Sequence, residues 1–451
     1  MTENTDRLKK KLSRCSKGYA LVRGIVAHRV FSLFYRKIQV IGKGNVPRTG
    51  AVIFTPNHQN ALMDAICILC TFNRQPVFVA RADIFNKPFI IAILNFLRIL
   101  PIYRKRDGVN TIDNNQETFD ILLEVLHHQQ AVGIMPEGVH NKIKRLRMLQ
   151  KGVFRFAMKA QEYSGNQPDV KVVPVGLEYS DTRKFRSDVI IRYGSPIEMS
   201  DYYDLYMKDA PRAFKLLQNT LSAKMKEGMV NIENEEYYSE IECARRFFEK
   251  DTLQRLGLKN DGEGRLSAQQ HIVARLEQLA AEQPEKMRIL SADIKEYAEL
   301  TDKYQFRDWV IARQPYSLAG LLLRSLLAAL CFPLWVAGMA FNYLPYKLCA
   351  LSSRKIKDPQ FASSVQFVAA LVAFPLYHLI LAVLACLFVP CIWGKISTII
   401  LLIPAGLVAF QRYIAMKKLI ARYRFFFAQR GKNSDILRMI NLRKSILEKM
   451  L

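Results

Sequence analysis

The stretch "AVIFTPNHQNALMDA", residues 51–65, decides how the fold is built. Its first six residues form an apolar run with the length of a buried strand, which ends in a proline. His58 follows two residues later, and Asp64 lies six residues further, inside a helical pattern over 59–72. On an ideal helix an offset of six residues turns two side chains about 240° apart. We therefore expect His58 to precede the helix, in the turn after the strand.

A histidine and an aspartate at the end of a buried strand suit acid–base chemistry. Imidazole titrates near neutral pH and can accept a proton from an alcohol. A carboxylate on the far ring nitrogen fixes the tautomer that this requires. A pair at this spacing is also common without any catalytic role, and a structural histidine is the alternative. The sequence predicts His58 and Asp64 as catalytic residues only if other motifs support them.

The pattern continues through residues 39–200, where strand-like apolar runs alternate with helical patterns. This alternation predicts an α/β domain with a mixed sheet flanked by helices. The strand-like runs are 51–56, 76–81, 99–103, 131–135, 171–179 and 188–193, and the helical patterns are 59–72, 86–98, 110–129 and 149–163.

Three further stretches strengthen the prediction of a site. "ILPIYRKRD" ends in Arg104, and a guanidinium can hold a phosphate with two hydrogen bonds. "GIMPEGVHNK" brings Glu137 and Gly138 to a strand end, where a glycine lets backbone N–H groups approach a ligand. "VKVVPVGLEY" contains Pro174, which predicts an edge strand or a bulge. Each feature also has an ordinary structural interpretation, a solvated charge or a simple turn.

These four blocks, in this order, resemble the glycerolipid acyltransferase family. "NHQNALMD" resembles its histidine–aspartate block, "PIYR" its arginine block, "MPEG" its proline–glutamate–glycine block and "VVPVG" its valine–proline block, over about residues 35–200. Five residues separate His58 from Asp64, where the family usually has four, and some members that acylate glycerol 3-phosphate are similar to this longer spacing. His140 stands near a position where the family usually has serine or threonine.

The resemblance implies a role for each matched residue. His58 is the general base on the acceptor hydroxyl and Asp64 orients it, while Arg104 holds the acceptor phosphate. Glu137 and Gly138 complete the acceptor pocket. The implied reaction moves a fatty acyl group from an acyl thioester, acyl-CoA or acyl-carrier protein, to a hydroxyl of glycerol 3-phosphate or 1-acylglycerol 3-phosphate, with no cofactor and no metal. The alternatives are a catalytically idle lipid-binding scaffold and a lipid ester hydrolase that uses the same pair.

The charge distribution predicts an anionic lipid membrane as partner. The net charge is +26, and residues 1–50 hold 12 Lys and Arg against 2 acidic residues, while residues 411–451 hold 11 against 2. Both basic ends lie beside apolar segments, and no zinc-finger or RNA-binding signature is present, which argues against nucleic acid. Residues 1–38 are predicted to form a basic region with an interfacial helix.

The rest of the chain is predicted to be helical and membrane-associated. Residues 201–315 are interpreted as a helical extension with a loop at 260–267. Residues 317–410 hold long apolar runs, which predict a membrane hairpin or a three-helix membrane region. Basic segments tend to remain cytoplasmic, so the catalytic domain and the basic tail, 411–451, are predicted on the cytoplasmic side of a multi-pass membrane protein.

Overall fold

The computed structural model describes residues 2–103, 111–140, 142–165, 169–354, 356, 358–431 and 433–450. The chain divides into two compact units. The first contains Met1–Asn231, Asp261–Leu266 and Ile356–Ser364, and the second contains Ile232–Asn260, Ser267–Lys355 and Val365–Leu451.

The first unit is built on an eight-stranded sheet, which is mixed as predicted. The strand order is β1-β7-β6-β2-β5-β3-β4, and β8 pairs with the remaining part of β6. Strand β2 pairs in parallel with both β5 and β6, whereas β6 pairs in antiparallel with β7 and β8. The strands are β1 Lys37–Ile41, β2 Val52–Pro56, β3 Val77–Arg81, β4 Ile99–Ile102, β5 Ala131–Gly133, β6 Lys171–Tyr179, β7 Asp188–Tyr193 and β8 Ile197–Glu198.

Helices cover both faces of this sheet. Ile53 of β2 lies in a core with residues of α1, α6, α7 and α9, whereas its neighbour Phe54 packs edge-on against Phe72 and Tyr193. This is the alternation expected of a strand that is buried on both faces. The helices are α1 Thr2–Leu12, α2 Lys17–Leu21, α3 His28–Phe34, α4 Leu62–Thr71, α5 Pro88–Phe96, α6 Thr111–His127, α7 Lys151–Tyr163, α8 Ser200–Lys208 and α9 Ala210–Glu227.

The predicted α/β pattern is confirmed, with differences at the edges. Strand β1 begins at Lys37, inside the segment predicted as an interfacial helix region, because its residues pair in parallel with β7. Pro174 lies inside strand β6, which pairs with β2 on one side and with β7 and β8 on the other, so the predicted edge strand is wrong. The predicted bulge is present, because Pro174 is one of two β6 residues, between the pairs Val175–Tyr193 and Val172–Ile197, that face three residues of the opposite segment. It occupies the position where the antiparallel neighbour of β6 changes from β7 to β8.

Helix α9 belongs to the core of the first unit. Leu217, Leu221 and Met225 of α9 lie in the main apolar cluster of that unit. A β-carbon on Gly176 of β6 would come within 1.9 Å of the carbonyl oxygen of Gly228, so both glycines allow a close approach of strand and helix end. Tyr202 and Tyr206 of α8 pack against the same cluster, so the first two helices of the predicted extension belong to the first unit.

The second unit is helical. The remaining helices of the chain are α10 Tyr238–Arg255, α11 Gly262–Glu282, α12 Pro284–Lys303, α13 Asp308–Ala312, α14 Leu318–Leu330, α15 Phe332–Ser352, α16 Ala362–Phe388, α17 Ile392–Arg430 and α18 Ser434–Met450. The loop predicted at 260–267 is helical from Gly262 onward. Arg443 of α18 forms ion pairs with Asp308 at 2.8 Å and Asp251 at 2.6 Å.

Two described helices, α16 and α17, are long and apolar enough to cross a membrane. Helices α14 and α15 pass the same test only as a pair, which bends by 50° at Cys331 and can be a broken span or a re-entrant loop. Close packing joins α15 to α17, because a β-carbon on Gly338 would meet the carbonyl oxygen of Ala405 at 2.2 Å. Length and composition therefore allow both predicted arrangements, a hairpin or three helices.

Candidate active site

The end of strand β2 leads into a tightly bonded turn, residues 57–61, which we call the histidine turn. Asn57 is fully buried, and its side chain binds the backbone of Leu177 twice, with N–O distances of 3.1 Å and 2.7 Å. The backbone N–H of Asn57 donates to the carbonyl oxygen of Val175 at 3.2 Å. The chain is therefore anchored to β6 immediately before His58, which precedes α4 as the spacing predicted.

Asp64, in the first turn of α4, accepts four hydrogen bonds. Its Oδ2 atom accepts from His58 Nδ1 at 2.9 Å and from the backbone N–H groups of Gln59 at 3.0 Å and Asn60 at 2.8 Å. Its Oδ1 atom accepts from the hydroxyl of Tyr179 at 2.7 Å. The carboxylate is fully buried, so these bonds replace its contacts with water. The predicted contact between His58 and Asp64 is present.

The arrangement leaves one nitrogen of His58 available for chemistry. Because an ionised carboxylate can only accept, the ring carries its proton on Nδ1, and Nε2 is then a proton acceptor. The side chain of His58 is 14% exposed, whereas that of Asp64 is 0% exposed. This geometry suits a general base that takes a proton from a bound hydroxyl group. The catalytic role itself stays a prediction.

Strand β5, the parallel neighbour of β2, ends in a second turn, residues 136–140, which we call the glutamate turn. Glu137 is 2% exposed, and its Oε1 atom accepts the backbone N–H of His58 at 2.8 Å. Its Oε2 atom accepts the backbone N–H of Arg147 at 3.1 Å. Burial raises the pKa of this carboxyl above its ordinary value, and the two backbone donors oppose the shift. Both oxygens thus hold backbone groups, and the predicted contact with the acceptor is untested.

The glycine predicted at this turn adopts a backbone conformation that other residues avoid. Gly138 has φ +70°, and a β-carbon there would lie 3.1 Å from Cγ of Gln150. Gly138 itself is exposed. A glycine is therefore required by the shape of the turn. Arg104, predicted to hold the acceptor phosphate, lies outside the described residues.

Two residues near His58 were missed as site residues by sequence reasoning. The Tyr179 hydroxyl binds Asp64, and burial together with that carboxylate raises the pKa of Tyr179 well above its ordinary value. The ring of His140 lies 3.9 Å from that of His58, between centroids, and burial lowers the pKa of His140 to about 4. Tyr179 ends the "VVPVGLEY" strand and His140 follows "MPEG", so both lie within blocks that the sequence marked.

A buried ion pair lies beside the histidine turn. Lys144 binds the carboxylate of Glu178, and its Nζ lies 3.5 Å from Oε1 of Gln59. The side chains of Lys144 and Glu178 are 13% and 3% exposed. The pair links the segment after the glutamate turn to strand β6 and to the histidine turn. Neither residue carried a signal in the sequence that would mark it.

Comparison with known proteins identifies this region. Residues 37–178 match the family model described as Acyltransferase. Two curated proteins of Saccharomyces cerevisiae are similar over shorter stretches: Glycerol-3-phosphate O-acyltransferase 2 is 37% identical over 99 residues, and Glycerol-3-phosphate O-acyltransferase 1 is 36% identical over 80. These stretches cover 22% and 17% of this chain, but only 13% and 10% of the two relatives. The resemblance predicted from the four blocks is confirmed.

A solved structure also aligns with part of the chain. It is the crystal structure of the 1-acyl-sn-glycerophosphate (LPA) acyltransferase PlsC from Thermotoga maritima, with 17% identity and a TM-score of 0.34. The alignment covers 50% of this chain and 81% of that one.

Proposed function

We propose that this chain, whose residues 37–178 form an acyltransferase domain, is a membrane-bound glycerolipid O-acyltransferase. It transfers a fatty acyl group from an acyl thioester to a hydroxyl of glycerol 3-phosphate or 1-acylglycerol 3-phosphate. The observation that carries the proposal is the ring of His58, held through Nδ1 by the buried carboxylate of Asp64 at 2.9 Å. The family match and the yeast relatives support the class of substrate.

The proposed reaction has two steps, attack of the acceptor hydroxyl on the thioester and collapse of the tetrahedral intermediate. Nε2 of His58 takes the proton of the acceptor hydroxyl as its oxygen attacks the carbonyl carbon of the thioester. Asp64 stabilises the imidazolium that forms, because its carboxylate faces Nδ1. The tetrahedral oxyanion then re-forms its carbonyl, the C–S bond breaks, and the imidazolium returns the proton to the departing thiolate. The acyl group ends as an ester and the donor as a free thiol.

The acceptor and the donor are assigned by chemistry. Both acceptors carry a phosphate, and Arg104 follows strand β4 and is proposed to bind it. The donor is acyl-CoA or acyl-carrier protein, both of which are acidic, and the net charge of +26 favours either. The proposed location is a membrane with the catalytic domain and basic tail on the cytoplasmic side. The two long apolar helices and the basic ends support this placement.

The test uses the full chain in anionic vesicles with radiolabelled oleoyl-CoA. Glycerol 3-phosphate and 1-acylglycerol 3-phosphate are offered separately, and an acyl-carrier-protein donor is tried in parallel. We expect transfer to one acceptor, and we expect His58→Ala to reduce kcat by about 10²–10⁴-fold, since a positioned base contributes that much. His271→Ala, which removes an exposed imidazole from α11, is the matched control and should keep full activity.

Three other outcomes would each contradict the proposal. Release of free fatty acid without any acylated acceptor would indicate the hydrolase alternative. Binding of lipid with no turnover of either donor would indicate a scaffold. Full activity in His58→Ala would remove the role assigned to this ring.

A further inference from the structure

A short segment that is distant in sequence from the histidine turn, Ile356–Ser364, belongs to the same unit as that turn. The first unit includes Ile356–Ser364, although the residues before and after this segment belong to the second unit. Its last three residues, 362–364, form the first turn of α16, which is long and apolar enough to cross a membrane. The segment is separated from His58 by about 300 residues of sequence, and none of the four blocks includes it.

Two serines of this segment bind the histidine turn directly. The hydroxyl of Ser363 donates to Oδ1 of Asn60 at 2.5 Å, and the hydroxyl of Ser364 accepts the backbone N–H of Leu62 at 3.2 Å. Leu62 is the first residue of α4, so its N–H has no acceptor within the helix. The side chains are buried, with Ser363 1% and Ser364 5% exposed.

The two hydrogen bonds lie on either side of a strained residue. Ala61, between Asn60 and Leu62, has φ +46° and ψ −123°, a conformation that residues with a β-carbon rarely adopt. Such a conformation persists when the surrounding structure holds it in place. Asn60 also donates its backbone N–H to Asp64 at 2.8 Å, so the position of Asn60 affects the carboxylate that orients His58.

The same segment reaches His58 by a second route. The ring of Phe361 packs edge-on against the ring of His140, with centroids 5.0 Å apart. The ring of His140 in turn lies 3.9 Å from that of His58. Among the described residues no partner binds Nδ1 of His140, so packing rather than hydrogen bonding at this atom holds the ring. The rings of His58, His140 and Phe361 therefore contact one another in that order.

We propose that residues 361–364 form a positioning element of the active site, in which Ser363 and Ser364 hold the histidine turn and Phe361 holds His140 against His58. This inference rests on the proposed function. It adds to the site three residues, Phe361, Ser363 and Ser364, that lie outside the region 37–178 matched by the family model. The proposed base is thus tied to the first turn of a helix that can enter a membrane. Displacement of that turn should slow the acyl transfer step without changing the binding of either substrate.

The first experiment replaces both serines, Ser363→Ala with Ser364→Ala, in the full chain reconstituted in anionic vesicles. We expect kcat to fall about tenfold or more, because small misplacements of a catalytic group cost up to about 100-fold. We expect KM for donor and acceptor to stay within about twofold. Ser363→Thr, which keeps the hydroxyl, should retain most of kcat. Ser352→Ala is the matched control and should behave as wild type, since within the described part of the chain its hydroxyl binds the local carbonyl oxygen of Cys349.

A second measurement does not depend on turnover. Diethyl pyrocarbonate modifies exposed imidazoles, and peptide mass spectrometry gives the rate at each histidine. We expect modification of His58 to be several-fold faster in the double serine variant than in Ser352→Ala. If the wild-type chain transfers no acyl group, the proposed function fails, and this rate still tests the positioning element.

Phe361 is tested by a double-mutant cycle. Phe361→Leu keeps an apolar side chain, and we expect it to lower kcat in the wild-type chain but not in a His140→Ala background, because both changes remove the same contact.

Three results would overturn the proposal. They are wild-type kcat and wild-type His58 modification in the double serine variant, a kcat for Ser363→Thr as low as that of the double serine variant, and fully additive effects of Phe361→Leu and His140→Ala.

Discussion

The histidine turn and the glutamate turn follow neighbouring parallel strands, and His58 contacts two buried carboxylates, Asp64 from the first turn of α4 and Glu137 from the glutamate turn. Asp64 binds the ring of His58 through Nδ1, whereas Glu137 binds the backbone N–H of the same residue. One carboxylate sets the tautomer and the other sets the position of the main chain. The family motif contains both Asp64 and Glu137, but the two carboxylates act on His58 in physically different ways. Substitutions that preserve the shape of each side chain should separate their two contributions to kcat.

The largest expected effect is on the ring side of this comparison. In Asp64→Asn, the negative charge that faces His58 Nδ1 is lost, so the side chain no longer stabilises the imidazolium that forms during transfer. We expect kcat to fall by about 10³–10⁴-fold, as for a carboxylate that orients a catalytic histidine. Steady-state kinetics measures the effect, and Asp204→Asn, an exposed residue on α8, is the control. A loss below tenfold would show that the charge of Asp64 does not stabilise the protonated ring of His58.

The backbone side is tested with Glu137→Gln. Its side chain keeps the size but presents an N–H₂ group to one of two backbone donors, at His58 or at Arg147. Leaving a buried donor unpaired costs about 1–3 kcal/mol, and we expect a loss of roughly 10–100-fold in kcat. The observed contacts predict a change in kcat, whereas the acceptor-binding role predicted from the motif requires a rise in KM for the acceptor. The ratio of the two effects decides between them.

Tyr179→Phe tests how far support for Asp64 extends. The change removes the hydroxyl that binds Oδ1 at 2.7 Å and leaves Asp64 with its three other donors. Hydrogen bonds to charged groups contribute about 1.5–3 kcal/mol, so we expect kcat to fall about 10-fold. Tyr163→Phe, at an exposed tyrosine on α7, is the matched control. An effect as large as that of Asp64→Asn would make Tyr179 an equal partner of the carboxylate.

The smallest expected effect is on the pH dependence of the thermal stability, through His140 of the glutamate turn. Unfolded His140 binds a proton below about pH 6.5, but burial lowers the pKa of the folded residue to about 4. The stability that neutral His140 contributes is complete above pH 6.5 and is lost as pH falls toward 4. We therefore expect His140→Gln to lose less thermal stability than wild type between pH 7 and pH 4.5. Melting temperatures in detergent measure this, and equal slopes would contradict it.

The sequence predicted the elements of the α/β domain well, because they depend on local patterns. Apolar runs with strand length and helical spacing placed β2, β6 and α4 within a few residues of their observed bounds. Strand β1 was missed, because its exposure alternates irregularly and its pairing partner β7 lies about 150 residues away. The helix start at Gly262 was missed, because glycine and charged residues usually signal a loop.

For the site, the sequence was sufficient to predict which residues meet at one edge of the sheet. Residues after adjacent parallel strands lie close together, and the motif order named His58, Asp64 and Glu137. The contacts of each residue follow from the three-dimensional packing, in which Glu137 binds backbone N–H groups and Tyr179 donates to Asp64. The same packing brought Ser363 to the histidine turn. The physical reason is range, since spacing along the chain records local geometry, whereas hydrogen bonds between distant segments depend on how the packed elements meet.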